Sequence, residues 1–229
     1  MTNAEPGTRR GQWLAAGIVV ILAGPVLVWL FLLAFGRHKC VPLPYLGEKS
    51  VAENGDTLFH RLPPFRMTSQ TGAVFTDDSL RGYIHVADFV FTRCPGICKD
   101  LSKNMAKLQE KILEHKDIRL VSYSVDPQFD GPEVLSEYAR RYGARPDKWT
   151  LLTGDSAALR SVALGGYMAP FAPDSANKEL ITHSPLFFLV DKDLHVRGYY
   201  RIIDGVDGQK EFKRLLEHID VLRCQYRNP

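Results

Sequence analysis

Two cysteines, Cys94 and Cys98, stand four positions apart in the run "FTRCPGICKD" (91–100). A thiolate is both a nucleophile and a soft metal ligand. A C-x-x-C pair beside a β-α-β pattern reads as a redox dithiol; here one extra residue separates the sulfurs. On a regular helix, positions four apart share a face, with Cβ atoms about 5–6 Å apart. A disulfide needs about 3.5–4.5 Å. Bonded sulfurs would therefore require an irregular turn at Pro95–Gly96, whereas sulfurs flanking an ion tolerate the wider spacing. The spacing favours a metal without excluding redox chemistry. Pro95 suits a first helical position, which makes Cys94 the expected N-cap. Free N–H groups and the positive dipole end would favour thiolate there. Two inert buried cysteines are the plain alternative, and the loop-to-helix placement argues against it.

Two thiolates suit Cu(I) among the common metals. Structural zinc prefers four protein ligands, commonly in two such halves, and the sequence holds no second half. A third ligand is wanted, and imidazole is the natural one. The histidines are His38, His60, His85, His115, His183, His195 and His218. His38 and His60 fall in a linker, His115 and His218 near helix C-termini, His85 inside a strand and His195 at a hairpin. His183 stands just before the apolar run "SPLFFLVD" (184–191), where a strand entrance can face a helix N-terminus. It is the leading candidate, so the metal reading takes Cys94, Cys98 and His183. The redox reading takes Cys94 as attacking thiolate and Cys98 as resolving thiol. A peroxidatic Thr-x-x-Cys arrangement fails in register, because Thr92 is only two residues before Cys94.

The elements that must hold these residues follow from periodicity. "GYIHVADFVF" (82–91) reads as a strand buried on both faces. Ile97, Leu101, Met105, Leu108 and Ile112 then recur at helical spacing. "IRLVSYSV" (118–125) is the next strand, "GPEVLSEYARRYG" (131–143) a helix punctuated by Pro132 and Gly143, and "KWTLLTG" (148–154) a short strand. Asp155 to Leu164 reads as a helix stopped by Gly165–Gly166, and residues 165–182 as a long polar excursion. "SPLFFLVD" and "LHVRGYYR" (194–201) form a hairpin before a last helix, "GQKEFKRLLEHIDVL" (208–222). Upstream, "FRMTSQ" and "AVFTDDSL" flank Thr71–Gly72 as a short hairpin. This alternation predicts an α/β domain with a central sheet over 63–222, followed by a C-terminal tail, 223–229.

The chain has 229 residues, 45% apolar and 24% charged, with net charge +3. That composition supports a globular domain. It carries no basic stripe with interleaved aromatics, so nucleic acid is set aside. From Trp13 to Phe35 no charge occurs. At 1.5 Å per residue this run reaches about 34 Å, enough for a hydrocarbon core of about 30 Å. It exceeds a signal-peptide core and lacks an A-x-A-like site, so a retained transmembrane helix is expected after a short tail, 1–12. Arg9 and Arg10 before the run and Arg37 and Lys39 after it nearly balance. The short tail favours an orientation with the domain outside the cytoplasm, and a bacterial source would put it on the periplasmic side of the inner membrane. Residues 36–62, with Pro42 and Pro44, read as a tether. In an oxidising compartment Cys40 and Cys224 could bridge, leaving Cys94 and Cys98 as the other pair.

Taken together, "FTRCPGIC", "SYSVDP" (122–127), "WTLLTG" (149–154) and "THSPLFFLVD" (182–191), in that order behind one anchor, resemble the SCO/SenC family over about Leu62 to Ile219. The resemblance implies a membrane-anchored thioredoxin-like fold, a central mixed sheet flanked by helices. It implies copper held by Cys94, Cys98 and His183. It also implies a partner, the dinuclear copper site of cytochrome c oxidase, which the protein would load or keep reduced. Asp126 matches the family's Val-Asp-Pro aspartate; its plain reading is a turn residue. Two positions depart from the pattern. Lys99 stands where proline is common and could lower the thiol pKa values. Pro185 stands where a small or polar residue is common, which makes Ser184–Pro185 a candidate cis bond of the kind thioredoxin-like enzymes place against their dithiol.

Overall fold

The structure, a computed structural model, describes residues 13, 21–30, 40–94, 96–169, 185–203 and 205–227. The chain divides into two units, 1–40 and 41–229. In the first, Trp13 and residues 21–30 are helical, with most side chains exposed. The rest of the apolar run, 14–20 and 31–35, lies outside the described residues. Among the described residues no helix is long and apolar enough to cross a membrane.

The second unit is built on a seven-stranded mixed sheet in the order β4-β3-β7-β6-β5-β8-β9. Its strands are β3 (Arg66–Ser69), β4 (Val74–Thr76), β5 (Ile84–Val90), β6 (Ile118–Ser124), β7 (Trp149–Thr153), β8 (Phe187–Val190) and β9 (Val196–Tyr200). The central β5, β6 and β7 are parallel, and β8 lies antiparallel beside β5. Crossovers run through α1 (Cys98–Lys111) and α2 (Pro132–Arg141); α3 (Ser156–Arg160) and α4 (Val206–Arg227) complete the layers. Every residue of β5 is buried, as expected for a strand covered on both faces.

Alternation along the strands splits the core in two. Ile84, Val86, Leu120 and Trp149 pack with Leu101, Met105 and Leu108 of α1, Leu135 of α2 and Leu215 and Ile219 of α4. Ala87, Phe89, Val121 and Tyr123 face Leu159, Val162 and Tyr167 on the other side. Leu101, one turn beyond Cys98, is fully buried in the first cluster. Leu101→Ala should therefore cost about 2–5 kcal/mol, read as a lower urea midpoint with unchanged slope.

Three sequence expectations change. Residues 41–62 are not a free tether. They carry β1 (Lys49–Val51) and β2 (Thr57–Phe59), an antiparallel pair. Arg197, fully buried against Asp191, donates to the carbonyls of Leu43 and Pro44 and so pins this segment to β9. Most of the expected C-terminal tail is helical, because α4 continues to Arg227 with residues 223–226 half-buried. The expected helix from Asp155 to Leu164 is split. Asp155 caps α3 by accepting from the amides of Ala157 and Ala158, and 161–166 then widens into a π turn.

Candidate metal centre

β5 ends at Val90, and the chain turns at once, the Cys94 amide donating to the Phe91 carbonyl at 3.2 Å. The helix begins at Cys98, with Ile97 as N-cap. Cys94 is therefore not the N-cap but lies in the turn between strand and helix. The reason lies in the hydrogen bonds: among the described residues, helical bonding opens with Lys99 to Gly96 and with Asp100 and Leu101 to Ile97. Cys94 and Cys98 both stand outside any disulfide, buried together against Val90, Phe91 and Ile97. The pair sits at the C-terminal ends of the parallel strands, where open α/β sheets bind ligands.

The electrostatics reverse one expectation. Burial pushes the Cys98 thiol well above the ordinary thiol range; a backbone hydrogen bond at Phe91 opposes it, while Cys94 and the more distant Asp88 add to the rise. Lys99 is exposed. Desolvation outweighs the helix end, so Cys98 is a thiol in the metal-free protein.

Two acids that sequence reasoning passed over stand close by. Asp130 is fully buried and accepts from the Thr92 amide (3.1 Å), the Thr92 hydroxyl (2.5 Å) and the Ser124 hydroxyl (2.6 Å). Asp88, on β5, accepts from Ser122 at 2.5 Å, and Ser122 in turn accepts from the Trp149 indole at 2.9 Å. Among the described residues the second Asp88 oxygen has no partner. Burial lifts the Asp88 pKa to about 7, against the Ser122 bond, which lowers it. For Asp88 the available signal is an acid inside a strand that is apolar apart from His85. Asp126, the Val-Asp-Pro residue, takes a 2.5 Å ion pair from Arg93, whose guanidinium lies 4.0 Å from the Phe129 ring.

His183 and Ser184 lie outside the described residues, and with them the third expected ligand and the Ser184–Pro185 bond. The described histidines are engaged elsewhere: His60 with the Gly166 carbonyl, His85 with Tyr167, His115 with Arg223, His195 with the His60 carbonyl and His218 with Tyr200. Among the described residues no three His, Cys, Asp or Glu side chains gather as a metal site. Cys40 and Cys224 are both disulfide-bonded.

The sequence matches the SCO1/SenC family model over residues 55–217. It is 35% identical over 181 residues to the SCO1 protein homolog of Bacillus subtilis, covering 78% of this chain and 86% of that one. Among solved structures, BsSco, a member of the Sco family of cytochrome c oxidase assembly proteins with an identified disulfide switch, aligns with TM-score 0.60 and 28% identity. That alignment covers 71% of this chain and 93% of the other. Arabidopsis thaliana ScoI with copper bound aligns with TM-score 0.56 and 27% identity, over 69% of this chain and 97% of the other. These neighbours share the mixed α/β architecture described above.

Proposed function

The chain belongs to the SCO1/SenC family, and from that premise we propose that it is a copper-binding assembly factor for cytochrome c oxidase. The observation that carries the reading is the pair of thiols buried together, outside any disulfide, at the C-terminal ends of the parallel strands. Two soft donors buried among apolar side chains suit Cu(I). Cys94 and Cys98 hold the ion, and His183 supplies the third ligand as a neutral imidazole. Strand register supports His183. β8 runs antiparallel to β5 with Phe188 opposite Ala87, so the chain enters β8 on the side of the sheet where β5 runs out to the cysteines. His183 lies just upstream of that entrance in the sequence. Three ligands leave the ion open to ligand exchange, which transfer to the dinuclear copper site of the oxidase requires. The apolar run 13–35 anchors the protein in the inner membrane with its domain on the periplasmic side, where the partner's copper site is reached.

Copper titration of the reduced full chain in detergent, with X-ray absorption of the bound ion, tests the assignment. Wild-type protein should take up close to one Cu(I). His183→Ala should lower its affinity and remove the nitrogen scattering; full retention of both would sink the three-ligand site.

The same thiols support a second reading, a membrane-anchored thiol–disulfide oxidoreductase with Cys94 attacking and Cys98 resolving. Their burial side by side at the strand–helix turn favours it. A reduction potential near thioredoxin's, about −270 mV, together with weak copper binding, would select this reading over the first.

A further inference from the structure

Thr92 and Arg93 lead directly into Cys94, and each is fixed by the segment that follows β6. Thr92 gives both its amide and its hydroxyl to the Asp130 carboxyl, at 3.1 and 2.5 Å. Asp130 also takes the Ser124 hydroxyl at 2.6 Å, and its own amide donates to the Asp126 carbonyl at 2.8 Å. Ser124 in turn accepts from the Asp126 amide at 3.1 Å. The carboxyl thus accepts three bonds and donates none. Among the described residues no cation pairs with it, although it is fully buried. Burying a carboxyl without a counter-ion is a poor way to gain stability. What a carboxyl does here, and an apolar side chain could not, is hold both donors of one residue at once. Held so, Thr92 has fixed backbone and side-chain directions two residues before Cys94.

We propose that Asp130 is a positioning residue for the dithiol: by clamping Thr92 it sets the direction of the Cys94 thiol toward Cys98, and so the separation of the two sulfurs. Hydrogen-bonding partners outside a metal's ligands commonly tune affinity about 10–100-fold. The inference rests on the copper reading for its first readout and is independent of it for its second.

The test uses the reduced full chain in detergent, with Asp130→Ala, Thr92→Val and the wild type. Leu215→Ala serves as a control that carves the core beneath α4, away from the turn. Competition for Cu(I) against a chromophoric chelator gives affinity; the thiolate-to-Cu(II) absorption band reports site geometry. Asp130→Ala should weaken Cu(I) binding about 10–100-fold and shift the band. Thr92→Val keeps the amide donor and loses only the hydroxyl, so it should move both in the same direction by less. Leu215→Ala should lose stability and keep both. The metal-free proteins give the second readout. A loosened turn makes the disulfide harder to close, so the Cys94–Cys98 potential should become more positive in Asp130→Ala and Thr92→Val. Unchanged affinity, band and potential in folded Thr92→Val and Asp130→Ala would overturn the proposal. Should Asp130→Ala fail to fold, Thr92→Val decides alone. A wild type that binds no copper would sink the copper reading, and the potentials would then decide this one.

Discussion

Cys98→Ser should abolish tight Cu(I) binding, and Cys94→Ser should do the same. Loss of an outer hydrogen-bonding partner costs a metal site about 10–100-fold. Loss of one of two thiolates removes a soft donor outright, and serine is no substitute for a soft ion, so the fall should exceed about 100-fold. Affinity in the wild type should also depend on pH in a stated direction. The Cys98 thiol is held protonated by burial, above the ordinary range. Copper must therefore expel a proton from Cys98 at every physiological pH. Each proton expelled makes the apparent affinity rise about tenfold per pH unit, and the rise should continue through the ordinary thiol pKa of about 8.5 instead of levelling there. Competition against a chromophoric Cu(I) chelator at several pH values from acid to mildly alkaline checks this. An affinity that flattens near neutrality would show that Cys98 is already a thiolate in the metal-free protein.

Much of this site could be read from residue type and spacing, and what escaped did so for physical reasons. The two thiols, the preceding strand and the amphipathic helix are local features. The stripe of Leu101, Met105 and Leu108 announces its own buried face. The helix start is not legible in the sequence, because proline is equally at home in a first helical turn and in an irregular one; the bonds to Gly96 and Ile97 decide. The raised pKa of the thiol is hidden in the sequence for a related reason. A helix N-terminus is visible in sequence, but the depth at which Cys98 sits under the strand–helix turn is not. Asp130 and Asp88 were missed because their partners, Thr92 and Ser122, are 38 and 34 residues distant. No periodicity spans such a gap. Arg197 is the same case: its pairing with the carbonyls of Leu43 and Pro44 turned an apparent tether into part of the domain.

Asp88→Asn should make the protein more stable above neutral pH and should unmask a titration that the wild type conceals. Two fully buried groups on β5 titrate in opposite senses. His85 is pushed by burial from 6.5 to about 3. The unfolded chain takes up this proton below about 6.5, and the fold refuses it until about 3. His85 therefore contributes stability at neutral pH that is lost as pH falls through that window. Asp88 is raised by burial from 3.8 to about 7. The fold keeps a proton that the unfolded chain releases above 3.8, so this contribution is present in acid and lost as pH rises to about 7. Each shift spans about three pK units, and each unit is worth about 1.4 kcal/mol, so each effect is on the order of 4 kcal/mol. Between 3.8 and 6.5 the two slopes oppose and largely cancel. Asparagine keeps an acceptor for Ser122 and cannot ionise. The difference in urea-derived stability, variant minus wild type, should be near its minimum at pH 4 and grow to a few kcal/mol in the variant's favour by pH 8. Parallel profiles would mean that Asp88 is not buried as described. His85→Phe should tilt its own profile the other way, with stability falling as pH rises. The consequence reaches the metal, because the Asp88 charge is one of the forces holding the Cys98 proton. Removing that charge eases formation of the thiolate, so Asp88→Asn should also bind Cu(I) more tightly than wild type, with the gain growing above pH 7 as the wild-type carboxyl ionises.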